Sequence, residues 1–241
     1  MIDLAVHLDA LVALRTDEPP AAPEISALAA AAVFGGADRL VVRLRTGREP
    51  VRDRDVRVLR ETALAGLELE IAGDSALIDP VLETHPERLT LVGREGPIDT
   101  TQRNPELVEA IDAFLTAELA VGVLIPPESE AVLAAQGLGV RFVRLDTGGY
   151  ARAAAEDRAL MAFRSIDAAA RTASEVGLRV SAGGGLTLRS VRRLIDLASI
   201  EQIVVGRAVV ARAVFIGLEA AVREVRDALD AAERHAGGGL T

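Results

Sequence analysis

Short runs rich in Val, Leu and Ile recur along the chain, and between them lie longer stretches whose apolar positions return every three or four residues. The short runs predict eight strands, at 2–8, 39–44, 67–72, 88–92, 120–125, 140–145, 178–182 and 202–205. The longer stretches predict helices at 24–34, 53–65, 107–117, 128–135, 153–176, 187–197 and 208–233. Strand and helix alternate from end to end, the signature of repeated βα units around a parallel sheet. That many units in 241 residues fit an α/β fold of one closed (β/α)8 TIM barrel. An open doubly wound sheet is the competing architecture. The strand ends favour the barrel, because most stop in a polar or Gly-bearing segment, as loops carrying a barrel's active site do. No linker divides the chain, so one domain is expected over 1–235, followed by a frayed Gly-rich tail at 236–241.

Residues two apart on a strand share a face. The chain repeatedly places polar groups two apart at the downstream end of an apolar strand: His7 and Asp9, Arg43 and Arg45, Glu68 and Glu70, Arg144 and Asp146. Pointing inward, they ring a small polar cavity at the barrel mouth, with no comparable set expected at the upstream ends. The alternative is that Arg43, Arg144, Glu68 and Asp146 neutralise one another as a structural plug. Strand seven runs into Ser181-Ala182-Gly183-Gly184-Gly185-Leu186-Thr187 and strand eight into Gly206-Arg207. Glycines let the backbone approach a ligand closely, and amides at a helix start point at anionic oxygens. Gly184, Gly185, Gly206 and Arg207 are therefore the candidate phosphate site, in the loops where barrels commonly hold one. The polar segment 93–102 after strand four is either a lid or an ordinary exposed loop.

Composition removes whole mechanisms. The chain has no Cys, and all 27 of its basic residues are Arg, so thiolate nucleophiles and lysine imines are both excluded. Only His7, His85 and His235 can titrate near neutrality without a large environmental push, and of these His7 alone sits at the predicted mouth. No metal site is signalled. A net charge of −9 and 2% aromatic residues argue against nucleic acid as a partner. No run approaches the length of a membrane span, and the first residues lack a signal-peptide pattern, so a cytoplasmic location is expected and a membrane partner is not.

The segment Val6-His7-Leu8-Asp9-Ala10-Leu11-Val12-Ala13-Leu14-Arg15 resembles the opening strand and loop of the pyridoxine 5'-phosphate synthase family, the barrel enzymes that build the vitamin B6 ring. Similar stretches follow in order: Arg52-Asp53-Arg54-Asp55-Val56-Arg57, Leu67-Glu68-Leu69-Glu70-Ile71-Ala72, Asp99-Thr100-Thr101, Thr147-Gly148-Gly149-Tyr150-Ala151, Ala182-Gly183-Gly184-Gly185-Leu186-Thr187 and Gly206-Arg207-Ala208. The resemblance implies condensation of 3-amino-2-oxopropyl phosphate with 1-deoxy-D-xylulose 5-phosphate, closing a pyridine ring with loss of water and phosphate and with no cofactor. It also implies that Glu70 is the general acid/base, that Thr100 and Thr101 lie on a closing loop, and that Asp9, Arg15, Arg43 and Arg45 contribute to the substrate cavity. A homo-oligomer, dimer-based and up to an octamer, is implied as well.

The family pattern has His where this chain has Ala10, Arg43, Gly184 and Arg207, and another near Pro50; it has Arg where Glu18 falls and usually Asn where His7 stands. A guanidinium cannot act as a base, so Arg43 is expected instead to pair with Glu70 and hold it ionised. His7 beside Asp9 then becomes the candidate for a proton transfer that the family assigns elsewhere. Two functional readings follow: an active ring-forming synthase using Glu70 and His7, and a non-catalytic paralogue that keeps the phosphate pocket as a binding or assembly protein. A sugar-phosphate isomerase with Asp9 as base is a third, weakened by Pro126-Pro127 standing after strand five where a second carboxylate is needed.

Overall fold

The computed structural model describes residues 1–14, 24–102, 104–197 and 199–237. Eight parallel strands close on themselves in sequence order: β1 Asp3–His7, β2 Arg39–Arg43, β3 Gly66–Ala72, β4 Arg88–Val92, β5 Val121–Ile125, β6 Phe142–Asp146, β7 Arg179–Gly183 and β8 Gln202–Val205. β8 pairs with β1, so no edge is left open and the open-sheet alternative is excluded. Each strand lies within two residues of its predicted bounds.

The helices ring this sheet. Those expected from periodicity are α2 Ile25–Phe34, α3 Asp53–Thr62, α5 Pro105–Thr116, α6 Ser129–Gly137, α8 Glu156–Glu175, α9 Leu188–Leu194, α10 Arg207–Ile216 and α11 Leu218–Gly237. Local chemistry starts several of them. Asn104 accepts the Leu107 amide ahead of Pro105 at the first turn of α5, and Thr187 and Ser190 form a reciprocal cap on α9. The single helix expected over 208–233 is two, because Gly217 takes a left-handed φ of 83° that ends α10 and redirects the chain into α11. Three short helices lack a periodic signal: α1 Asp9–Val12, α4 Ile78–Thr84 behind a 3-10 turn at Ser75–Leu77, and α7 Gly148–Ala151. α1 and α7 are single turns, which cannot display a period. The last helix ends two residues into the expected tail, and 238–241 lie outside the described residues.

The outward faces of the strands carry the main core. Leu4, Val6, Leu40, Val42, Leu69, Ile71, Leu89, Leu91, Val123, Leu145 and Ile203 are buried against the helix ring. Inside the barrel Ala5, Val41 and Val204 form a small buried hydrophobic cluster. Glu68, Glu70, Arg88, Thr90, Arg144, Ser181 and Gln202 occupy the rest of the interior, each buried. Phe142 fits among them because Gly122 on β5 has no side chain, and a Cβ there would collide with the ring. Arg88 stacks on the same ring, 3.8 Å from its centroid. Charge is also present at the upstream end, contrary to expectation: Arg39 and Arg88 stand at the first positions of β2 and β4, and Arg39 meets Asp3 at 3.5 Å.

Candidate active site

A cavity of about 630 Å³ opens at the downstream end of the strands. Its lining brings together His7, Asp9, Arg43, Arg45, Glu70, Gly184, Gly185, Gly206 and Arg207, nine of the residues singled out from sequence. Thr100 and Thr101 are not among them. The Thr100 hydroxyl donates to the Ala131 carbonyl of α6 at 2.8 Å, while Thr101 donates to Asp99 on the exposed side of the loop. Arg15 and Glu18 fall outside the described residues.

Glu70 stands on the cavity floor. Its Oε2 is 3.1 Å from His7 Nε2, and its Oε1 accepts a hydrogen bond from Arg144 Nη1. Burial is the largest influence on this carboxyl and opposes its ionisation. The charges of His7 and Arg144, the hydrogen bond from His7 and the charge of Arg43 together outweigh it and hold the group well below the usual carboxylate range. An ionised carboxylate only accepts, so His7 Nε2 carries the proton between them. His7 shows the mirror pattern: burial pushes its pKa down, but the Glu70 charge and hydrogen bond, with the Asp9 charge, leave it above 6.5. Its Nδ1 lies 3.7 Å from Asp9 Oδ1.

Asp9 is itself fixed from the second strand. Its two oxygens accept from the Arg43 amide and from Arg45 Nη1, both at 2.8 Å. The Arg43 guanidinium does not pair directly with Glu70 as expected. It donates to the carbonyls of Gly93 at 2.8 Å and Arg94 at 3.3 Å, clamping the start of segment 93–102. Besides His7, Glu70 meets Arg144 on β6, whose two terminal nitrogens bridge Glu70 and Glu68. Glu68 also accepts from Thr90 at 2.5 Å and Gln202 at 3.2 Å, with Arg88 Nε 3.7 Å away. Of the four charges foreseen as a structural plug only Arg144 and Glu68 pair; with Glu70 they make the floor, and the space above it stays open. Asp146 is not part of it: its Oδ1 accepts the Gly148 amide at 3.1 Å and starts α7.

Opposite this floor run the glycine loops. Gly184 has a φ of +126°, and a Cβ there would run into Asp146 Oδ1, so the backbone reaches the cavity only as glycine. Gly206 packs against His7, and the exposed Arg207 opens α10. Acidic and basic side chains and glycine backbone thereby surround one sugar-sized space. Among the described residues no set of three His, Asp or Glu is arranged to hold a metal ion, and no helix is long and apolar enough to cross a membrane.

Comparison with known proteins gives this arrangement a family. Residues 4–231 match the model of the pyridoxal phosphate biosynthesis protein PdxJ. The chain belongs to the PdxJ family. It is 33% identical over 236 residues to the pyridoxine 5'-phosphate synthase of Synechococcus sp. (strain JA-2-3B'a(2-13)), covering 95% of this chain and 99% of that one. The synthase of Desulfatibacillum aliphaticivorans is 34% identical over 232 residues, 93% of this chain and 97% of that one. Outside PdxJ proteins the likeness is one of fold. The crystal structure of the Amycolatopsis orientalis BexX/CysO complex superposes with a TM-score of 0.67 at 16% identity, covering 100% of this chain and 93% of that one. The 3-hexulose-6-phosphate synthase of Salmonella typhimurium gives 0.67 at 15% identity, covering 96% and 100%.

Sequence reasoning places Arg144 and Glu68 among the inward charges without giving them a role at the site, and it does not name Thr90 or Gln202. The two-apart rule reaches Arg144 and Glu68. Gln202 is a single polar position beginning an apolar strand, and Thr90 pairs by twos only with Arg88 at the upstream end, away from the mouth.

Proposed function

We propose that this chain catalyses the ring-forming condensation of 3-amino-2-oxopropyl phosphate with 1-deoxy-D-xylulose 5-phosphate. The observation that carries the reading is the His7–Glu70 pair at 3.1 Å on the floor of an open cavity faced by glycine loops. The substrate brings its own amine, which suits a protein with no lysine to form an imine. Attack of that amine on the ketose carbonyl needs a proton delivered to oxygen, the water lost on dehydration needs another, and one ester's C–O bond breaks to release inorganic phosphate. Closure of the ring needs protons removed from carbon. A protonated His7 supplies the first kind of transfer and the ionised Glu70 the second. Gly184, Gly185, Gly206 and Arg207 hold the phosphate of one ester, and Arg45, anchored on Asp9, faces the other. Self-association into a dimer-based assembly and a cytoplasmic location complete the proposal; sedimentation velocity and cell fractionation test them.

Glu70→Gln and His7→Gln are each expected to lower kcat by about 10²- to 10⁴-fold, the range of one positioned acid or base, with KM changing far less. Steady-state kinetics on the two esters measures both constants, and unchanged kcat in Glu70→Gln contradicts the assignment. The second reading, a metabolite-binding paralogue without turnover, is favoured by one observation: His7 is the single imidazole lining the cavity among the described residues. It predicts calorimetric binding of either ester with no product.

A further inference from the structure

We propose that Arg144 is the positioning residue of the site, its fork pinning the Glu70 carboxylate so that the remaining oxygen is presented to His7. Deepening the reading above, this inference rests on the same pair, but it concerns a residue on the far side of the barrel that touches neither the imidazole nor the glycine loops through any hydrogen bond. Arg144 is 2% exposed and reaches from β6 across the interior to β3, with one terminal nitrogen on Glu70 Oε1 and the other on Glu68 Oε1. Glu68 cannot yield, because Thr90 and Gln202 hold it from β4 and β8. The guanidinium is therefore anchored at one end and aims the other.

A glutamate has three rotatable bonds, and the 3.1 Å contact of Oε2 with His7 requires all of them fixed. A planar fork does this better than an ammonium, which can meet one carboxylate well but lacks the rigid two-headed geometry to span both. Without the cation, Glu68 and Glu70, two apart on one face of β3, become like charges in a buried space, and one must take a proton or turn away. A plain stabilising ion pair is the competing explanation, and buried pairs are weak evidence of stability in themselves. The two explanations differ in what they say about His7.

The groups facing His7 are Glu70 from β3, Asp9 beyond the end of its own strand and Arg144 from β6; Glu70 is also faced by Arg43 from β2. Nuclear magnetic resonance titration of the full chain with labelled histidine, assigned with His7→Gln, reads the imidazole directly and needs no substrate. In the unaltered protein burial is outweighed by the charges of Glu70 and Asp9, which raise the His7 pKa from its ordinary value. Arg144→Lys keeps the charge and removes the fork; its His7 pKa is expected to fall toward the ordinary value. Glu70→Asp, one methylene shorter, is the second arm and covers a failure of Arg144→Lys to fold. Held by Arg144, the shorter carboxylate cannot reach the imidazole and the elevation is lost; a carboxylate that the imidazole alone positions keeps the contact, and with it the elevation, in both variants. Retention of the elevated value in either folded variant overturns the inference. Absence of turnover in the unaltered protein, with His7 responding as described, removes the proposed activity and leaves the positioning role standing.

Discussion

The two faces of the same eight strands are built on opposite rules. Outward, every second residue is an aliphatic side chain pressed against the helix ring, and Leu69 and Ile71 are wholly buried there. Inward, the alternate positions of the same strand β3 are Glu68 and Glu70, buried to nearly the same degree but held by Arg144, Thr90, Gln202 and His7. One methylene-rich face gains from leaving water, at about 25 cal/mol per Å² of apolar surface. The other loses hydration and recovers it only through exact partners. The difference teaches that the barrel is stabilised from outside and made specific from within.

The comparison breaks most sharply at Arg144. Arg144→Met strands two buried carboxylates and is expected to cost about 3–5 kcal/mol in urea unfolding near neutral pH, the range for removing one partner of a buried pair. The loss should shrink in acid, where protonation relieves the stranded charges. Outward, Leu69→Ala is expected to cost about 2–5 kcal/mol through lost burial and a residual cavity, by the same amount at every pH. Equal pH dependence in the two variants contradicts the division between the faces.

A smaller effect sharpens it. Glu68 and Glu70 both have folded-state pKa values below the ordinary 4.5, so the stability they contribute is complete above about pH 4.5 and drains away as pH falls through their folded values. His7, raised above 6.5, contributes in the opposite sense: fully below 6.5, and lost as pH rises through its folded value. Stability should therefore crest between these limits, and Glu70→Gln should flatten both flanks, because it removes the acid-limb carboxylate and the partner of His7. Urea midpoints across the pH range measure this; flanks unchanged in Glu70→Gln run against the account.

Legibility in the sequence followed the same division. Burial of apolar residues leaves a periodic trace, so all eight strands and the long helices could be read from spacing, whereas the one-turn α1 and α7 and the break at Gly217 could not. Inward charges leave a weaker trace. Pairing by twos found His7, Asp9, Arg43, Arg45 and Glu70 at one mouth, but it could not say which cation meets which carboxylate. Arg43 lies on the strand adjacent to Glu70, yet its head turns to the Gly93 and Arg94 carbonyls, and Arg144, 74 residues away in sequence, makes the bond. Thr100 shows the limit of motif transfer: the tripeptide is present, but its hydroxyl is spent on α6.

The most direct test is to incubate the purified protein with both phosphate esters and to follow pyridoxine phosphate by mass spectrometry. The account predicts product from the unaltered chain and a rate lower by about 10²-fold or more in Glu70→Gln. Saturable binding of both esters with no product at high protein concentration would contradict it.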